Sequence, residues 1–416
     1  MLLVRPRPVV GESVHGFLLR VSSANALWSL GAMKAEWADA MISQVGGRVH
    51  LRGPMTGHRH LARPDVGGLP SQYWNARRPR FCPLCLTESP VWRSLWELVF
   101  YTECHLHEGT LLDECSACCR PLSWRRGELL RCACGTDLRL AVSEKSSPAS
   151  LKVSSDVAGA WRDGTAPVEC CAEGLTIEEL LRRTWFLGAY GVRSSRRALK
   201  LSNLFDVGVA RAIAEAAVLP EEGSPAPLFA WLDQVAGRYG STQSLRLTKR
   251  FGAFYKELFD PRWERALRDV REGFEQYVSE RWSGQLAARN RRLSQDVRDR
   301  HLWVPLTQAA KELHWKMSRL RSAVERGVVR GHLVNHESGR TSGTIHRDDL
   351  ARLRDEARDE LTLLDVCARL RMGKKAVKAM VAANVLVPAS GPSIDGRTIW
   401  KFKRRDVDAL ARTSIV

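Results

Sequence analysis

Eight of the eleven cysteines fall between positions 82 and 134, and they fall in close groups. A Cys-x-x-Cys turn brings two thiolates within reach of one ion, and a tetrahedral zinc ion takes four such sulfur or nitrogen donors. The first group reads Cys82-Pro83-Leu84-Cys85, then 18 residues, then Cys104-His105-Leu106-His107. It predicts a set of three cysteines and one histidine: Cys82, Cys85, Cys104 and His107. The second reads Cys115-Ser116-Ala117-Cys118, then 13 residues, then Cys132-Ala133-Cys134-Gly135. It predicts an all-cysteine set of Cys115, Cys118, Cys132 and Cys134. His105 in place of His107, and Cys119 in place of Cys118, are the alternatives, and a spacing of two residues favours the sets given. Gly135 suits the tight turn that aims backbone amides at a thiolate.

A secreted disulfide framework uses an even number of cysteines in a much shorter chain; this chain has an odd number in 416 residues. Four protein donors leave no open coordination position, so two structural zinc ions per chain are expected rather than a catalytic one. Such ions carry much of the local folding free energy, about 10–16 kcal/mol per site in zinc-finger peptides. Trp92, Leu95, Trp96, Val99 and Phe100 follow helical spacing between the halves of the first set and read as packing of a zinc-stapled domain. His58 and His60 have no cysteine nearby and read as surface residues. Cys170, Cys171 and Cys367 read as small core residues.

The formal net charge of +18 favours a polyanionic partner, because Lys and Arg on phosphates release condensed counterions. No apolar run approaches a membrane span, and the opening apolar stretch is too short for a signal-peptide core. A cytoplasmic protein without a membrane partner is expected. There is no Gly-x-x-x-x-Gly-Lys-Ser/Thr loop, His-Glu-x-x-His helix or Gly-x-Ser-x-Gly elbow. The chain reads as a binding protein and not an enzyme.

The pattern divides the chain into five parts and predicts a mainly α fold. A helical N-terminal domain (1–78) opens with Ser13 as N-cap and Val14, Phe17, Leu18 and Val21 on one helical face. Irregular, Gly-containing loops follow Ala40. The double zinc module (79–142) leads to a polar stretch, Ser143 to Ser155, that reads as a linker. The middle region (143–300) is helical, with a capping box at Thr176 and Glu179. Its further helices are expected over Phe205–Val218, Leu228–Tyr239, Phe251–Phe259 and Arg262–Trp282.

The last two parts (301–356 and 357–416) repeat each other at an offset of 57: Leu306 matches Leu363, Leu313 matches Leu370, Val324 matches Val381, and Arg347 and Asp349 match Arg404 and Asp406. Each reads as a helix, a turn, a second helix, a wing and a closing helix, giving tandem (winged) helix-turn-helix units. Gly327 and Asn384 stand at matching helix ends, and these are the two residue types that most readily close a helix in the left-handed conformation. Second helices of this kind can enter a DNA major groove. Copy two places Lys374, Lys375 and Lys378 at the start of that helix and Arg397, Lys401, Lys403, Arg404 and Arg405 around its wing. It carries 12 basic and 6 acidic residues, against 10 and 7 in copy one. Copy two is therefore the stronger DNA candidate, with Arg319 and Arg340 the candidates in copy one.

The run Gly11-Glu12-Ser13-Val14-His15-Gly16-Phe17-Leu18-Leu19-Arg20-Val21 with Asn25 resembles the opening motif of the TniQ/TnsD family. Phe81-Cys82-Pro83-Leu84-Cys85, Trp92, Cys104 with His107, Leu111-Leu112, Cys115 with Cys118, and Cys132 with Cys134-Gly135 are similar to that family's double zinc signature. Phe251-Gly252-Ala253-Phe254-Tyr255 with Leu258 resembles its later helical region. The resemblance spans most of residues 11–282. It implies target-site selection for a multi-subunit DNA transposon, as a non-catalytic adaptor. Target DNA, read directly, or an RNA-guided CRISPR Cascade-type complex would be linked to an AAA+ ATPase regulator of transposition, with a homodimer as a further option. The alternative from the residues alone is a self-sufficient transcription regulator, dimeric on a palindromic operator.

Overall fold

The structure, a computed structural model, describes residues 3–28, 65–66, 69–75, 77–161, 174–192, 204–218, 225–239, 244–286, 290–336, 339–392, 394 and 398–413. His58, His60, Cys170, Cys171, Arg397 and most of the loops expected after Ala40 lie outside the described residues. The fold is mainly α with little sheet. Contacts divide it into two compact units, Met1–Gly240 with Phe251–Phe274, and Ser241–Arg250 with Glu275–Val416. Among the described residues no helix is long and apolar enough to cross a membrane.

The first unit opens with α1 (Val14–Ala24). Ser13 caps it by accepting from the Gly16 amide at 2.8 Å, satisfying an amide that has no intrahelical partner. Val14, Phe17, Leu18 and Val21 are buried, as their spacing predicts. A Cβ at Gly16 would lie 2.2 Å from the Trp92 Cβ, so glycine lets α1 rest directly on Trp92. Two-residue strands β1 (Asp65–Val66) and β2 (Leu69–Pro70) pair antiparallel. The metal-ligand region contributes α2 (Pro83–Glu88), β3 (Glu103–Cys104) and β4 (Gly109–Thr110).

The aromatic stripe packs as expected but not as an α-helix. Only a 3-10 turn, Ser94–Glu97, forms there, while Trp92, Trp96, Val99 and Phe100 are all buried. Residues on either side of the turn leave the helical path to pair elsewhere: Ser13 donates its amide to the Trp92 carbonyl and Val99 donates to Tyr73. The expected linker is likewise corrected. Residues 148–160 form α3 (Pro148–Ala160), with Ser147 as N-cap and proline at its first turn. Ser150 and Ser154 are buried rather than solvated, and Ser154 Oγ accepts from the amides of Thr102 and Glu103 at 3.2 and 3.0 Å.

The capping box forms at the start of α4 (Ile177–Gly191). This helix crosses α5 (Val207–Ala217) at Gly188, where an added Cβ would stand 2.1 Å from the Ile213 carbonyl oxygen. Then come α6 (Ala226–Tyr239), α7 (Leu247–Arg250), α8 (Ala253–Leu258) and α9 (Arg268–Glu280). Phe186, Tyr190, Phe251, Phe254 and Phe274 form an aromatic cluster with centroids 5.0–6.0 Å apart. The helix expected from Arg262 begins at Arg268 instead. Asp260 caps a separate 3-10 turn, Pro261–Trp263, and Arg271 donates to the Leu258 and Asp260 carbonyls, holding that corner outside the helix.

In the second unit α10 (Gln295–Arg300), capped by Ser294, precedes two related copies whose elements follow the same order except for one strand. Copy one is β5 (Trp303–Pro305), α11 (Leu306–Glu312), α12 (Met317–Glu325), β6 (Gly331–Asn335), β7 (Thr341–His346) and α13 (Arg347–Asp359), with strand order β5-β7-β6. Copy two is β8 (Glu360–Thr362), α14 (Leu363–Leu370), α15 (Lys374–Ala382), β9 (Lys401–Lys403) and α16 (Arg404–Thr413). Each surrounds its own apolar core, one including Leu306, Leu320 and Ile345 and the other Val366, Val377 and Phe402.

The offset of 57 extends to backbone conformation. The turns match at His314 (φ 52°) and Arg371 (φ 54°), and the helix ends match at Gly327 (φ 69°) and Asn384 (φ 55°). The copies differ in the wing. Where copy one has β6, copy two has Pro388 and Pro392; proline has no amide to donate to a ladder, and only an isolated bridge, Ser390 to Lys401, forms there.

Candidate metal centres and nucleic-acid interface

Both predicted cysteine sets converge. The donor atoms of Cys82, Cys85, Cys104 and His107 lie within 4.8 Å of one another, as do those of Cys115, Cys118, Cys132 and Cys134. In the first centre Cys82 is the N-cap of α2 and Cys85 lies in its first turn. Cys104 ends β3, and His107 sits in the reverse turn before β4, closed by Glu108 at φ 50°. His107 presents Nδ1 to the three sulfurs, 3.5 Å from Cys82, 3.3 Å from Cys85 and 3.4 Å from Cys104. Its Nε2 lies 2.8 Å from Glu88 Oε1. His105, the alternative ligand, turns away and places Nδ1 2.7 Å from the Tyr101 hydroxyl.

The second centre is built from two short turns. Cys115 and Cys134 sulfurs lie 3.7 Å apart, and those of Cys118 and Cys132 3.8 Å apart. Gly135 takes the expected positive φ, 92°, and the following Thr136 hydroxyl lies 3.2 Å from Cys134 Sγ. Hydrogen bonds from the Thr136 hydroxyl and amide hold the Cys134 thiol down at about 6. Cys119 is exposed, with φ 54°, and is not part of the set.

The spacing fits a tetrahedral zinc ion. With Zn–S near 2.3 Å and Zn–N near 2.0–2.1 Å, a tetrahedron has S–S edges of about 3.8 Å and S–N edges of about 3.6 Å, which these distances match. In the first centre, hydrogen bonds from the Cys82 and Cys85 thiols hold the Cys104 thiol far below its ordinary range. Burial pushes the His107 imidazole down, but Glu88 and the Cys104 thiolate outweigh it and raise the group overall. Neither centre leaves a position for a substrate among its four donors, so the chemistry offered is structural.

The two centres are locked to α1 through aromatic side chains. Trp124, on the loop of the second centre, stacks on His15 of α1 at 5.0 Å and 17°. His15 Nδ1 lies 3.2 Å from the buried Glu97. Buried Arg126 lies over Trp92 and Trp124, 4.7 and 5.6 Å from their centroids, and donates to the Ser123, Glu128 and Leu129 carbonyls. The buried Arg126 guanidinium is thus hydrogen-bonded inside the aromatic wall.

The predicted DNA-facing side chains lie in both repeats. Lys374, Lys375 and Lys378 are exposed on the first turns of α15, and among the described residues none makes an ion pair. Lys401 faces Glu360 at 3.6 Å, Arg405 faces Asp406 at 3.3 Å, and Arg404 donates to the Arg358 carbonyl. Lys403 and Arg340 are exposed. Arg319 stacks on Trp315, its guanidinium 3.4 Å from the ring centroid. Glu88 and Thr136 beside the metal ligands carry no sequence signal of their own, since their role depends on the turns that bring them to the donors.

By this geometry the chain carries two four-donor Cys/His clusters, each of which could hold a metal ion. The model of the TniQ family matches residues 54–111, a span that holds all four donors of the first centre. That family is associated with transposition and DNA binding. No curated protein matches the chain.

Proposed function

We propose that this chain is a target-site selection adaptor of a multi-subunit DNA transposon, joining target DNA or an RNA-guided CRISPR complex to an AAA+ transposition regulator. The observation that carries the reading is the TniQ match through the first metal centre. The two centres hold zinc, one ion each, and act as staples: the donor sets are closed and their edges suit a tetrahedral ion. No step of catalysis is assigned to the chain. The 301–356 and 357–416 repeats act as winged helix-turn-helix units, with copy two contacting DNA through Lys374, Lys375 and Lys378. In support, these lysines are exposed on a second helix, and among the described residues no carboxylate pairs with them.

The test is assembly. Zinc-loaded protein is mixed with the AAA+ ATPase of the same transposon in the absence of DNA, and complex formation is followed by size-exclusion chromatography with light scattering. A stable complex is the expected result. Failure to bind the ATPase, together with a symmetric dimer on a palindromic site with half-sites about 34–36 Å apart, would replace the adaptor by a transcription regulator.

A further inference from the structure

Duplication makes the two repeats an internal comparison, since position n in copy one answers to n + 57 in copy two. On α12 the buried stripe is Leu320 and Ala323, and on α15 it includes Val377. The opposite faces are then Ser318, Arg321, Ser322 and Glu325 in copy one and Lys375, Lys378, Ala379 and Ala382 in copy two. Both follow the i, i+3, i+4, i+7 spacing of one helical stripe. All four copy-two residues are exposed, as are Ser318 and Glu325, while Arg321 and Ser322 are half-buried.

The chemistry of the two faces differs in kind. Copy one offers the half-buried Arg321 guanidinium, with Nε enclosed, together with two hydroxyls and a carboxylate. These are groups that pair with guanine O6 and N7, with either base type, and with the cytosine amino group. Copy two offers two ammonium point charges and two methyl groups, which suit phosphates and close backbone approach.

Charge elsewhere in the repeats points the same way. Both copies pair some cations internally: in copy one Arg330 pairs with Asp349 at 3.1 Å, Arg352 with Glu356 at 3.3 Å, and Arg354 with Glu312, and in copy two Arg369 pairs with Asp408 and Lys401 with Glu360. Copy two puts Val387 where copy one has Arg330 and keeps Lys374, Lys375 and Lys378 without ion pairs among the described residues. A carboxylate such as Glu325 on a groove-facing stripe repels phosphates, so it is useful there only as an acceptor for a base edge.

We infer that the repeats divide DNA recognition between them, copy one reading base edges through Arg321 and Glu325 while copy two grips the phosphate backbone through Lys375 and Lys378. This rests on the winged helix-turn-helix reading of the preceding subsection. Charge count alone ranks copy two first for DNA; side-chain chemistry gives copy one the sequence specificity.

The test uses the full-length, zinc-loaded chain and a random duplex library, followed by salt titrations on the enriched duplex and a scrambled one. The variants are Arg321→Ala, Glu325→Gln and the double variant Lys375→Ala/Lys378→Ala. Glu325 is exposed, so its variant keeps the core intact even if Arg321→Ala perturbs folding. Arg321→Ala and Glu325→Gln are expected to erase preference at one or two base positions, shrinking the enriched-to-scrambled affinity ratio by roughly five- to a hundredfold. The lysine variant should weaken both duplexes by the same factor and flatten the salt slope by about two units. An unchanged motif in both copy-one variants, or binding by the unmodified chain without any motif, overturns the division of labour while DNA binding stands. No binding of either duplex at low salt overturns the DNA-binding reading together with it.

Discussion

His107 stands between a metal-donor set and a carboxylate: Nδ1 faces Cys82, Cys85 and Cys104, and Nε2 lies 2.8 Å from Glu88. A ligating imidazole commonly donates its other N–H to a carboxylate, which fixes the tautomer and ring orientation and raises ligand basicity. Glu88 ends α2, the helix that begins at Cys82, so one short element supplies two sulfur donors and the support of the nitrogen donor.

Glu88→Gln is therefore expected to weaken metal binding at the first centre by about 10–100-fold, without effect on the second. Competition with a chromophoric chelator reads both sites separately. An unchanged metal affinity at the first centre would leave the Glu88 contact without function.

Cys82→Ser and Cys115→Ser should each lower metal content by one ion per chain. Local protease sensitivity should appear around the affected centre only, since metal-binding free energy supports folding there. Elemental analysis of purified protein decides this. Retention of two ions by both variants would remove the metal assignment.

Gly16→Ala should destabilise the first unit by at least about 1–3 kcal/mol, the range for overpacked cores. The added Cβ would fall 2.2 Å from the Trp92 Cβ, two groups with no freedom to turn away. Thermal unfolding of the metal-loaded protein measures it, and an unchanged midpoint would place α1 elsewhere than on Trp92.

His301 supplies a pH dependence away from the metal centres. Burial lowers its imidazole from the ordinary value; Nε2 meets the Gly284 carbonyl at 2.7 Å, while Nδ1 is buried with no hydrogen-bond partner among the described residues. Protonation would put a second donor on Nδ1 facing no acceptor. The unfolded chain takes up that proton first, so stability contributed by the neutral ring is present above about pH 6.5 and is lost as pH falls through the lowered folded value. His301→Gln should flatten stability against pH between about 7 and 5, as measured by denaturant unfolding at several pH values. An unaltered slope would exclude His301 as its source.

Much of this was legible in the order of residues because the interactions are local. Two Cys-x-x-Cys turns limit which donors can meet at one ion. Ser13 and the Thr176–Glu179 box reach amides three residues away, and Gly327 and Asn384 take the left-handed helix ends that their side chains permit. The repeat was readable for the same reason, since each 57-residue copy folds around its own core. The polar stretch at Ser143–Ser155 misled because serine serves equally in a linker and at a buried hydrogen bond; only β3, some 50 residues earlier, reveals which.

What the sequence alone determined, then, is the donor sets, the caps, the helix ends and the repeat, all governed by spacings of a few residues or by self-similarity. The tertiary structure decided that Nδ1 rather than Nε2 of His107 faces the sulfurs, that His105 pairs with Tyr101 instead, and that Arg126 is enclosed by Trp92 and Trp124. It also decided that copy two does without the third strand of copy one. Each of these depends on which distant surface a side chain or strand meets, and on whether a buried polar group finds its partner there. Neither propensity nor periodicity encodes that until the chain has closed on itself.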